Sequence, residues 1–330
     1  MKEITDKQVI LQVDHLKQYF PVRSNPFLLP KSHVKAVDDI SFHIFAGETL
    51  SIVGESGCGK STTGRAILRL DEPTDGQIHY SGKNILNFNN KELRKLRGDL
   101  QIIFQDPFAS LNPRQTIKQI LNEAMSIQKV TEKPQRTARM LELLQYVGLP
   151  PESLDRYPHE FSGGQRQRIG IARALAVNPK LIVCDEAVSA LDVSIQAQIL
   201  NLLKRLQKQF QLTFLFISHD LSVVRHISDR VMVMYLGKIV EIADKKSLFQ
   251  TPLHPYTKAL LSAIPITNPE LRKERIMLKG DVPSPIDPPT GCRFHTRCPH
   301  AVAMCKTEAP PLQELEKGHF VSCHFTKELM

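Results

Sequence analysis

Gly54-Glu55-Ser56-Gly57-Cys58-Gly59-Lys60-Ser61 has the spacing G-x-x-x-x-G-K-S, the pattern of a backbone loop that wraps phosphate groups. Its flanks fit that reading. Thr49 to Val53, just ahead, is a short β-branched and apolar run of the kind found in buried strands. Thr62 to Leu70, just behind, reads as a helix with Ile67, Leu68 and Leu70 apolar. Gly54, Gly57 and Gly59 allow the chain to close tightly and to take positive φ. Backbone N–H groups then converge on an anion at the positive end of the helix. Lys60 supplies a point charge for β- and γ-phosphates and Ser61 a hydroxyl for Mg²⁺. Glu55, Ser56, Cys58 and Thr62 complete the segment expected to line the nucleotide.

Further along, three buried strands end in polar side chains suited to the same chemistry. Leu100 to Phe104 runs into Gln105, which can reach a metal or a water at the γ-phosphate. Lys180 to Glu186 delivers two carboxylates: Asp185, suited to Mg²⁺, and Glu186, suited to polarise an attacking water. Leu212 to Ile217 runs into His219, which can hydrogen-bond the γ-phosphate. Taken singly, a glutamine like Gln105 is most often only a strand cap and a lone histidine like His219 more often structural; behind a phosphate loop the four form one constellation.

Outward from this core, residues 9–20 alternate as a strand, and Tyr19 or Phe20 can stack a ring on an adenine. Residues 21–33, with Pro21, Pro26 and Pro30, read as a surface loop. Ile40, Phe42 and Ile44 alternate in a half-buried strand. Residues 116–129 and 135–147 place apolar side chains at helical spacing, the second stopped by Gly148 and Pro150. These read as an inserted helical subdomain. Ser162-Gly163-Gly164-Gln165 then opens a helix, Arg166 to Val177, and makes a second anion site. One phosphate loop cannot use two such sites on one nucleotide unless a second subunit brings one of them.

Taken together, the loop at 54–61, Gln105, FSGGQ at 161–165, CDE at 184–186, SALD at 189–192 and His219 resemble an ABC-transporter ATP-binding subunit, in the family's order. The resemblance implies an α/β fold: a P-loop NTPase (RecA-like) core with an N-terminal antiparallel β subdomain and a helical subdomain at about 106–175. It implies that ATP and Mg²⁺ bind at the loop, with Ser61, Gln105 and Asp185 at the metal. Phe20 is taken as the stacking ring, and Ser162, Gly163, Gly164, Gln165 and Asp192 as contacts to ATP across a dimer interface. Glu186 is the implied catalytic glutamate and His219 the switch histidine. Phe161 stands where the family has Leu, and Ala187 where it usually has Pro; neither change removes a polar catalytic group.

The chain has 330 residues with a net charge of +9, which suits nucleotide, an anionic membrane surface or nucleic acid without choosing among them. No run approaches the eighteen apolar residues of a membrane span, and MKEITDKQVI lacks a signal-peptide core. A cytosolic setting is the expectation. Division into residues 1–250 and 251–330 follows from composition, since residues 252–289 hold eight of the 22 prolines. Four of the six cysteines, Cys292, Cys298, Cys305 and Cys323, crowd the end. Four thiols in a cytosolic chain favour metal over disulfides. Without a C-x-x-C pair they suit a [4Fe–4S] cluster, or zinc if His295, His300, His319 or His324 replaces a thiolate.

This tail, with QDPFASLNPR at 105–114, resembles the ATP-binding subunits of bacterial dipeptide and oligopeptide importers. A matching cysteine quartet in some of these holds a [4Fe–4S] cluster. The resemblance implies a peripheral protein on the cytoplasmic side of the cell membrane. It implies a paralogous ATPase partner, two transmembrane permease subunits and an extracytoplasmic peptide-binding protein. Alternatives are an importer of nickel or another small solute, or a nucleic-acid-associated ABC ATPase. Against the last, the chain holds one loop and one signature, and no basic stripe interleaved with aromatics, so no nucleic acid is expected.

Overall fold

The computed structural model describes residues 8–22, 32–129, 131–264 and 275–325. β1 (Val9–Val22) and β2 (Ser32–Phe45) pair antiparallel, and Ser32 already faces Val22. The loop expected over 21–33 is therefore narrower at both edges, and residues 23–31 lie outside the described residues. Leu11, Val13 and Leu16 of β1 and Ile40, Phe42 and Ile44 of β2 are buried, one face of each strand turning inward.

β3 (Thr49–Val53) is buried throughout and feeds α1 (Lys60–Ile67). This helix differs from the expected Thr62–Leu70. It starts earlier because Gly59 caps it in the left-handed region. It stops earlier because Arg69 turns left-handed (φ 47), which leaves Leu70 42% exposed. β4 (Asp75–Tyr80) and β5 (Lys83–Asn84) complete a four-stranded antiparallel sheet in the order β2-β1-β4-β5.

α2 (Asn90–Asp99), held at its start by an Asn89–Glu92 capping box, leads into β6 (Leu100–Ile103). A helical layer follows: α3 (Pro107–Ser110), α4 (Ile117–Gln128), α5 (Arg136–Val147) and α6 (Gly163–Leu175). The expected stripes of α4 and α5 bury Ile117, Leu121, Leu143 and Val147 in one cluster with Ile169 of α6. α6 spans Gly163–Leu175, not Arg166–Val177. The Ser162–Gln165 capping box starts it at Gly163, and Asn178 turns left-handed before Pro179.

Next come β7 (Leu181–Asp185), α7 (Val193–Phe210), β8 (Thr213–Ile217), α8 (Leu221–Ile227), β9 (Arg230–Tyr235), β10 (Lys238–Asp244) and α9 (Lys245–Gln250). α10 (Pro255–Ser262), α11 (Ala303–Thr307), β11 (Gln313–Glu316) and β12 (His319–Val321) complete the order. The second sheet runs β11-β12-β10-β9-β3-β8-β7-β6. From β9 to β6 its neighbours are parallel. β3, β7 and β8 are accordingly continuous apolar runs, as strands covered on both faces must be. The fold class is α/β as expected: a parallel core sheet, an antiparallel N-terminal sheet and a helical layer.

The tail shares the core of this second sheet. β12 pairs with β10 (Glu241↔Val321, Ile242↔Phe320). Phe294 is buried with ring centroids 5.2 Å from Tyr235 and 5.4 Å from Tyr256. Glu241, fully buried, accepts the N–H groups of Leu253 (2.8 Å) and His254 (3.0 Å) and lies 2.7 Å from His319 Nε2. Its carboxylate thus ties β10, the entry to α10 and β12 together. Glu241→Ala strips these buried donors of their acceptor and should cost at least about 2 kcal/mol. Urea unfolding at an unchanged midpoint would refute this role for Glu241.

Candidate functional site

The loop at 54–61 sits at the end of β3, wedged between backbones. Gly54, Gly57 and Gly59 have φ of 153, 80 and 102. A Cβ on Gly59 would stand 2.1 Å from Ala36 O, and one on Gly54 2.2 Å from Met234 O. Neither position has room for a side chain. Thr63 Oγ1 donates to Gly59 O (2.9 Å) and Gly237 N to Cys58 O (3.0 Å), fixing the loop from two sides. Lys60, buried, donates Nζ to Gly54 O (2.9 Å) and Glu55 O (3.0 Å). Its charge is therefore held inside the ring of the loop. Ser56 and Gly57 are exposed at the mouth, while Cys58 is buried.

The parallel strands bring the other candidates to the same edge. Ser61 Oγ donates to Asp185 Oδ1 at 2.6 Å. Burial pushes the Asp185 carboxyl above its usual range and neighbouring Glu186 adds to this, while the Ser61 hydrogen bond, Arg65 and Lys60 oppose it. A hydroxyl and a carboxylate at contact form a hard-oxygen pair that fits Mg²⁺. Gln105 donates Nε2 to Glu186 Oε2 (3.0 Å), and His219 Nδ1 lies 3.3 Å from the same oxygen. Glu186 takes φ 47. Its N–H donates to Ile217 O (3.0 Å), and its own carbonyl accepts the Ser189 N–H (3.0 Å) and hydroxyl (2.9 Å). The loop after Glu186 is set by these bonds and by buried Ala187 and Val188, without a proline.

Other candidates stay apart from this cluster. Ser162 and Gln165 cap each other: Ser162 Oγ accepts the Gln165 N–H (3.3 Å), and Gln165 Oε1 accepts the Ser162 N–H (3.0 Å). The first-turn N–H groups of Gly163 and Gly164 have no acceptor within their helix. Among the described residues no hydrogen bond joins 162–165 to the loop at 54–61. Asp192, at the N-cap of α7, is exposed and makes no side-chain cap. Tyr19 Oη is bonded to Asp38, whose other oxygen Arg293 holds; Phe20 is 37% exposed.

In the tail, Cys292, Cys298, Cys305 and Cys323 line one cavity beside Phe294. Burial pushes the Cys292 thiol up to about 11, with the other three cysteines adding to this, and burial raises Cys298 and Cys323 as well. As they stand, no three His, Cys, Asp or Glu side chains among the described residues are grouped to hold a metal ion. His295, His300 and His324 also line the cavity, whereas His319 is turned to Glu241.

Tyr256 and Arg297 touch the loop without any local sequence signal. Tyr256 Oη accepts the Glu55 N–H (2.9 Å), and Arg297 makes a two-pronged bond to the Glu55 carboxylate (2.7 and 3.1 Å). Arg297 is 242 positions from Glu55, beyond the reach of any spacing rule.

Comparison with known proteins places these features in a group. Residues 37–189 match the family model described as "ABC transporter", and residues 240–305 that described as "Oligopeptide/dipeptide transporter, C-terminal region". The oligopeptide transport ATP-binding protein AppF of Bacillus subtilis (strain 168) is 56% identical over 97% of this chain and 98% of its own length. Among solved structures, cbiO1 from Clostridium perfringens, part of the ABC transporter complex cbiONQ, matches with a TM-score of 0.64 at 27% identity. That match covers 74% of this chain and 92% of cbiO1. The ATP-binding cassette MJ0796, a dimer bound to ADP and Pi, matches with a TM-score of 0.62 at 28% identity, over 71% of this chain and 98% of its own.

Gly59→Ala forces a methyl group against Ala36 O at a left-handed φ. Backbone strain alone is worth about 1–3 kcal/mol, and the collision adds to it. The variant should melt several degrees lower and lose any stabilisation by nucleotide. A wild-type melting curve, with nucleotide protection intact, would show that the loop has more room than its geometry allows.

Proposed function

Because this chain belongs to the ATP-binding subunits of the ABC transporter family, with the C-terminal region of its oligopeptide/dipeptide members, we propose that its ATP hydrolysis drives uptake of di- or oligopeptides across the cytoplasmic membrane. The observation that carries the hydrolytic part is the junction of Gln105, Glu186 and His219 beside the Ser61–Asp185 pair. The cargo rests on the name of the relative and on the C-terminal region.

Lys60 exchanges its two loop carbonyls for the β- and γ-phosphates when ATP enters, so no charge has to be carried in from solvent. Ser61 and Asp185, with Gln105 nearby, would hold Mg²⁺, which would supply positive charge against those phosphates. Glu186 is the general base: Gln105 and His219 converge on one of its oxygens and aim the carboxylate at the attacking water. Phe20, with its exposed ring, is the adenine platform. Ser162, Gly163, Gly164, Gln165 and Asp192 serve the nucleotide of a paralogous ATPase subunit, since they stand apart from this chain's own loop. Closing around two nucleotides and opening after hydrolysis then moves two permease subunits, fed by an extracytoplasmic peptide-binding protein. The chain sits peripherally on the cytoplasmic face; no helix among the described residues is long and apolar enough to cross a membrane. Residues 1–250 form the ATPase domain and 251–330 the extension.

We also propose that Cys292, Cys298, Cys305 and Cys323 hold a [4Fe–4S] cluster of structural role. Their convergence on one cavity supports this, and a bound cluster would supply the positive charge that four neighbouring thiolates need.

Glu186→Gln should retain ATP binding while turnover falls by about 10²–10⁴. ATP, no longer consumed, should then hold the closed pair with the partner subunit in gel filtration. Normal turnover would remove Glu186 from the role of base, and no ATP-dependent pair would argue against shared sites. Protein purified without oxygen should be brown with about four irons per chain, and Cys298→Ser should lose the colour. Colourless protein, with zinc or with no metal after reconstitution, would exclude the cluster.

A further inference from the structure

The loop residue Glu55 is held at all three of its polar groups. Its carbonyl accepts from Lys60 of the loop itself, at 3.0 Å. The other two partners come from the far end of the chain: Tyr256 Oη takes the N–H, and Arg297 takes the carboxylate with two parallel bonds. Both are placed rigidly. Tyr256 is fully buried, its ring 4.8 Å from that of Tyr235 and 5.4 Å from that of Phe294. The Arg297 side chain is only 9% exposed, and its guanidinium lies 5.9 Å from the Tyr235 ring. Arg297 Nη1 and Nη2 face Glu55 in the fork geometry that an ammonium cannot reproduce.

A carboxylate inside a loop that must take up a polyphosphate is an electrostatic liability. Unpaired, Glu55 repels the incoming nucleotide; paired with Arg297, it carries no net charge toward it. Tyr256 meanwhile fixes the backbone at Glu55, the second residue of the loop after β3. We propose that Arg297 and Tyr256 are positioning residues for ATP: the C-terminal extension neutralises and shapes the phosphate loop, and so sets nucleotide affinity from outside the ATPase core. Because coupling is reciprocal, ATP in turn steadies the segment that carries Arg297 and the adjoining Cys298. The inference rests on ATP binding at residues 54–61 and deepens that reading.

The test uses the complete chain and measures the Kd of a fluorescent ATP analogue, with kcat and KM for ATP alongside. Arg297→Ala should weaken binding about tenfold, within the range usual for coupled sites, with KM rising far more than kcat falls. Arg297→Lys should recover only part of the loss. In the double variant Arg297→Ala, Glu55→Gln, most of the affinity should return, because the unpaired carboxylate is gone. Tyr256→Phe should also weaken binding, and Glu55→Gln should not rescue it, since the hydroxyl holds backbone. Wild-type affinity in Arg297→Ala, or no recovery in the double variant, would overturn the proposal. If Arg297→Ala does not fold, Arg297→Lys and Tyr256→Phe decide it by the same comparison. Lys60→Ala separates the two readings. If it binds ATP like wild type, ATP binding at the loop itself fails. If it loses ATP while Arg297→Ala does not, the loop reading stands and this inference alone fails.

Discussion

Two backbone carbonyls govern this molecule. Ala36 O, from β2 of the antiparallel sheet, and Met234 O, from β9 of the parallel sheet, press on Gly59 and Gly54 with no space for a methyl group. The phosphate loop is therefore a seam where two sheets meet, and its curvature is imposed by tertiary structure as much as by glycine. Interiors packed at crystal density transmit such contacts with little slack. A change in how the sheets meet is consequently a change in the loop.

The polar side chains arrive at the loop for a topological reason. β6, β7 and β8 run parallel in one sheet with β3, so their C-terminal ends share one edge. Asp185 closes β7, Glu186 follows it, and Gln105 and His219 stand just beyond the ends of β6 and β8. Glu186 bears the added cost of a left-handed backbone, about 1–3 kcal/mol for a residue of its kind. Its bonds to Ile217 O and Ser189 offset that cost. Strain at that residue turns the carboxylate away from the line of β7 and toward Gln105 and His219.

Much of the fold and the site was legible in the chain because the governing signals are local. Glycine spacing marked the loop, continuous apolar runs marked β3, β7 and β8, and helical periodicity marked α4 and α5. The limits of elements were less legible. Nothing in Leu68-Arg69-Leu70 announces that Arg69 turns left-handed, and the Ser162–Gln165 cap moved the start of α6 by three residues. Long-range pairings were not legible at all. Glu241 and His319 are 78 positions apart, and Glu55 and Arg297 further still. Each is a polar residue whose partner is fixed by the packing of strands and not by sequence distance.

The order of strands also has a consequence for how the chain is made. β10 lies between β9 and β12, and β12 with β11 comes later in the chain than β10, after α9, α10 and α11. Until residues 313–321 emerge, β10 offers an open row of N–H and C=O groups beside an apolar face, the kind of edge that invites pairing with other chains. Translation at about 5–20 residues per second leaves that edge bare for several seconds. Buried Glu241 within β10 is an inward-pointing charge on this edge until His319 arrives, and such charges discourage intruding strands. One carboxylate thus guards the nascent sheet before it becomes the tie that closes it.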